Sequence, residues 1–120
     1  MYGEDLHHLF QKCKEVTNLW ENVQHWIQRK IGITLRLTPL MKMLGYIVKD
    51  ENFWPLNLVL ISTRKYIFWC SRKGLKLNIF FLQQEVYSIY LEQENLSLLN
   101  SRQAQFKKRW DFWKNLFTDI

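Results

Sequence analysis

Cysteine is scarce in this chain: Cys13 and Cys70 are the only two among 120 residues. Two thiols do not make a disulfide framework, and no signal-peptide pattern opens the sequence. A reducing, intracellular setting, nuclear or cytoplasmic, is therefore expected rather than secretion. Proline (two) and glycine (four) are almost as rare, which argues against a linker-rich or low-complexity chain. No uninterrupted apolar run reaches membrane length. The most hydrophobic stretch, "FWPLNLVLISTRKYIFWC", is broken by Arg64 and Lys65 before the roughly 20 residues that span a bilayer. Neither a membrane nor a small-molecule substrate is expected as a partner. Finally, from Phe53 to Gln83 there is no Asp or Glu at all.

What is present is apolar bulk and positive charge. Hydrophobic residues make up 48% of the chain and aromatics 16%, with six tryptophans; the length suits one domain, residues 1–120, around one aromatic core. The formal net charge is +6, and the basic residues cluster: Arg64 and Lys65, then Arg72, Lys73 and Lys76, then Lys107, Lys108 and Arg109. Uncompensated positive charge favours polyanions, RNA or DNA first, through phosphate contacts.

The hydrophobic periodicity is helical. Cys13, Val16, Trp20, Val23 and Ile27 recur at steps of three and four, which predicts a helix over 13–31 closed by Gly32. Ile33, Leu35 and Leu37 alternate too briefly for a paired strand, whereas Thr38-Pro39 reads as an N-cap and first turn of a short helix ending at Gly45. Pro55 opens a third helix with so wide an apolar stripe that it should be the most buried, and Gly74 ends it. Two further helices follow, one with Ile79, Leu82, Val86, Ile89 and Tyr90 on one side, the other with Phe106, Trp110, Trp113 and Phe117 at steps of four and three. They join near "NLSLLNS". The expected fold is all-α, about four to five helices in a small irregular bundle. Trp69, Trp110 and Trp113 could each stack on bases if exposed, although helical spacing favours the core for Trp110 and Trp113.

Catalytic signatures are missing. There is no nucleophile elbow and no glycine-rich phosphate loop, and Asp50 and Glu51 read as a solvated turn, so the chain by itself is not expected to be an enzyme. His8 and Cys13 could share a metal only with His8 ahead of the first helix, because five helical steps turn two side chains about 140° apart. Two further ligands would still be needed, and His7, His25 and Cys70 show no matching spacing.

The order of residues adds a resemblance. "EDLHHLFQKCKEVTNLWENVQHWI" resembles the E-x-L-x-H-L-F-x-x-C segment, followed by V and L-W positions, at the zinc-binding C-terminal end of LINE-type non-LTR retrotransposon reverse transcriptases. "TPL", "LGYI", "LNLVLISTRKYIFWCSRKG", "LQQEVYSIYLEQEN" and "FKKRW" are similar to the region beyond that motif, so the resemblance covers nearly the whole chain. It implies that His8 and Cys13 are the second pair of a zinc site whose C-x-x-C pair is absent, making residues 1–13 half of a motif and 14–120 the helices. Zinc is then implied for a full-length parent and not for this chain alone. The resemblance further implies a non-catalytic, nucleic-acid-binding fragment of an RNA-directed DNA polymerase that helps engage template RNA, with upstream reverse transcriptase domains as possible partners. Arg64, Lys65, Arg72, Lys73, Lys76, Lys107, Lys108 and Arg109 are its expected phosphate contacts. The alternatives are a helical protein-interaction module and a decayed retroelement fragment without a function of its own.

Overall fold

The computed structural model of the chain describes residues 14–44 and 53–118. Within them lie five α helices and a closing 3-10 turn, with no strand: α1 (Lys14–Ile31), α2 (Pro39–Leu44), α3 (Trp54–Lys73), α4 (Ile79–Leu99), α5 (Gln103–Trp110) and the 3-10 helix Lys114–Phe117. The domain is all-α, as the periodicity implies.

Each boundary has a local cause. α1 ends where Gly32 takes up φ 85°. The next residues run without a paired strand, yet Ile33 and Leu35 are half-buried and Leu37 buried while Thr34 and Arg36 between them are exposed. The brief alternation therefore reports one-sided burial rather than pairing, and Gln24 anchors the segment by donating from Nε2 to the Leu35 carbonyl at 2.7 Å. Thr38 caps α2, its Oγ1 accepting from the Met41 N–H at 3.2 Å. α3 carries proline in its first turn and stops at Gly74, in the left-handed region at φ 68°. Asn78 caps α4 by accepting from the Phe80 N–H at 2.8 Å.

α4 runs through "NLSLL" to Leu99, a stretch with neither glycine nor proline to break it, so the join falls inside "NLSLLNS", where the chain turns at Ser101 with φ 56°. One expectation needs correction in the last third. The final segment is not one α helix through Phe117. After Trp110 the hydrogen bonds shorten to three-residue steps, Trp113 N–H to the Trp110 carbonyl and Leu116 N–H to the Trp113 carbonyl. The tighter period puts Trp110, Trp113 and Leu116 in the core and leaves Phe117 half-buried.

The core is one continuous cluster to which α1, α3, α4, α5 and the 3-10 turn all contribute. α1 packs on the 3-10 turn and α4, while α3 packs on α4, α2 and α5. Trp26 on α1 locks the sequence ends together, its Nε1 donating to the Leu116 carbonyl at 3.1 Å. Tyr90 is the centre of an aromatic group, with the rings of Trp110 and Phe117 both 4.8 Å away and Phe106 at 5.3 Å. Besides dispersion, such tilted and edge-on ring pairs gain from the quadrupole of each ring.

α3 contributes the most buried residues of any helix described, from Pro55 to Cys70, but its stripe is wider than its neighbours can cover. Phe68 and Trp69 stay exposed, as do Phe80 and Phe81 on α4.

Candidate nucleic-acid interface

The basic residues of the middle segment come from the C-terminal half of α3 and the turn after it. Lys65, Arg72, Lys73 and Lys76 are exposed, and Arg64 is half-buried. Positions 65, 69, 72 and 76 follow one another at steps of four, three and four, so Lys65, Trp69 and Arg72 share a face that the turn extends to Lys76. The Arg72 guanidinium lies 5.7 Å from the centre of the Phe68 ring, which holds its planar donor face over an apolar base. Trp69 is 51% exposed, whereas Trp110 and Trp113 are buried as their spacing implies. Of the three candidate stacking residues only Trp69 can present a free ring face.

The second basic group is elsewhere. Lys107 and Lys108 on α5 are exposed, but Arg109 is half-buried with its guanidinium 4.5 Å from the Trp54 ring centre. Trp54 opens α3, so at ~1.5 Å rise per residue Arg109 lies about 27 Å along the helix from Arg72 but only about 17 Å from Lys65. Both distances exceed the screening length of ~8 Å at physiological salt. The eight basic residues singled out in the sequence thus form two patches, and Arg109 is tied into the fold through Trp54 rather than standing clear of it.

Between α3 and α4 runs a groove of about 710 Å3. α3 supplies Leu58, Ile61, Lys65 and Trp69 at helical spacing, and α4 supplies Phe81, Glu85 and Ile89 at every fourth position. Cys70, Ser62 and Tyr66 also line it. The Tyr66 hydroxyl accepts from the Asn78 N–H at 2.9 Å, clasping the α3–α4 turn. Burial raises the Tyr66 pKa above its ordinary value, helped by the neighbouring Cys70 and opposed by the Asn78 contact. The groove was not legible from the sequence: the wide apolar stripe on α3 signals burial, yet Trp69 and Phe81 at the groove stay exposed.

His8 and Cys13, with His7, lie outside the described residues, as do Asp50 and Glu51. Among the described residues no group of three or more His, Cys, Asp or Glu side chains could hold a metal ion; His25 is exposed on α1 and Cys70 is buried at the groove. The described residues therefore do not fit a zinc site. No helix among them is long and apolar enough to cross a membrane.

Compared with family models, with curated proteins and with solved structures, the chain has no match.

Proposed function

We propose that this chain is a non-catalytic RNA-binding domain that grips phosphates with Lys65, Arg72, Lys73 and Lys76, in keeping with its resemblance to the C-terminal region of LINE-type reverse transcriptases. One observation carries this reading: four exposed cations surround a half-exposed tryptophan in a stretch without a single carboxylate from Phe53 to Gln83. Phosphate contacts release condensed counterions, so binding falls steeply with salt and depends little on base sequence. Lys107 and Lys108 form a second, weaker contact. Their distance from the first patch suits a duplex or folded strand lying along α3.

The test is a titration with a labelled structured RNA at low and at moderate salt, with Arg72, Lys73 and Lys76 changed together to Ala in a parallel sample. Salt-sensitive binding that the triple variant loses is the expected result; no binding at low salt overturns the proposal. A second reading, docking onto another protein such as an upstream polymerase domain, is favoured by the exposed apolar surface of α4, where Phe80 is 70%, Phe81 65% and Leu99 80% exposed.

A further inference from the structure

We infer that the α3–α4 groove binds a small amphipathic anion, with an apolar body along the groove and a carboxylate or phosphate held by Lys65 and Lys76. The inference stands on the groove and does not require the RNA reading. Its volume of about 710 Å3 falls in the range of sites that enclose a small ligand, ~300–1,000 Å3. Its length along α3, from Leu58 to Cys70, is about 18 Å at ~1.5 Å per residue, which suits an elongated molecule.

The lining has the chemistry of such a site. Leu58, Ile61, Leu75 and Ile89 make an aliphatic wall, and Trp69 and Phe81 flank it with large rings that are half or more exposed. Left open, these rings keep apolar area in water, and an apolar chain laid between them removes it. The charged residues of the lining are Lys65, Lys76 and Glu85. Both lysines are exposed, so an anionic head can reach them while staying hydrated, and the two cations against one carboxylate favour an anion over a cation or a neutral head. Ser62 and Cys70 on the buried side add little polarity, which fits a hydrocarbon body better than a polar base or sugar.

Laurate is the probe, titrated into the full chain and followed by tryptophan fluorescence, with its methyl ester and anionic phosphatidylglycerol vesicles as parallel arms. Saturable one-to-one binding of laurate is expected, with a blue shift that is absent in Trp69→Phe because that ring is the one covered. Lys65→Glu with Lys76→Glu should weaken laurate binding about tenfold, the scale of a lost charge-assisted contact. Ile89→Trp, which fills the groove from a half-buried position, should abolish it while leaving the helical circular dichroism unchanged. Equal affinity for the methyl ester, or binding to vesicles alone, overturns the inference. So does a concentration-dependent dimer that Ile89→Trp disperses, since a second copy would then be the occupant of the groove.

Discussion

Trp26 and Trp69 show how one residue type takes opposite roles in this fold. Trp26 is fully buried and donates to the Leu116 carbonyl 90 residues away. Trp26→Phe deletes the donor, strands a buried acceptor and leaves a void, so unfolding free energy from urea titration should drop by roughly 2–3 kcal/mol at unchanged m value. Trp69→Phe, at an exposed position, should stay within about 0.5 kcal/mol. Tyr90 has its pKa raised, mainly by burial among the aromatic rings and further by the nearby Glu94 and Tyr87. The folded state then holds the phenolic proton more tightly than the unfolded chain does. The resulting stability is intact below the ordinary tyrosine pKa of ~10 and is lost as pH rises through the higher folded value. Melting temperature should therefore fall on the alkaline side of pH ~10, and the fall should be shallower in Tyr90→Phe.

Among the elements, the α3–α4 hairpin depends on its turn. Gly74 sits at φ 68° with nothing within 4 Å of where a Cβ would be, so Gly74→Ala meets no steric obstacle and its cost is conformational, about 1 kcal/mol. Thermal unfolding should register this as a lower Tm with an unchanged helical spectrum. The carbonyl of Cys70, which receives the N–H groups of both Gly74 and Leu75, sets the exit direction and so the position of Lys76. The helices themselves were legible in the sequence, since Thr38-Pro39, Pro55, Gly32 and Gly74 mark ends that propensity and backbone sterics dictate. The missed end lies where no such residue stands: the period at Trp110, Trp113 and Leu116 tightens to three, and the Leu116 carbonyl there accepts from Trp26. No local signal encodes that contact.

At the scale of the whole molecule, charge is divided between a patch on the C-terminal half of α3 and its following turn and a second on α5, where Arg109 packs on Trp54 at the start of α3. If both engage one strand of RNA, removing the three cations Arg72, Lys73 and Lys76 should reduce the slope of log affinity against log salt by about 2, at ~0.7 per contact on a single strand. Lys107→Ala with Lys108→Ala should lower it by about 1.4 on the same scale. The two changes should add, since sites this far apart share no partners. Arg109→Ala behaves differently, since its guanidinium packs on Trp54 and its loss acts on stability as well as charge.

The sequence by itself determined the all-α class, the core face of α1, and a basic middle segment free of carboxylates, and its spacing favoured the core for Trp110 and Trp113. These follow from period, capping and composition, which are local properties of the chain. Only the tertiary structure decided that the basic residues form two patches, that Arg109 belongs to a stacking contact, and that a groove lined by Trp69 and Phe81 stays open between α3 and α4. Each of these depends on how far apart two helices come to rest. That distance is set by side chains from distant parts of the chain packed into one core, and no single stretch of sequence contains it.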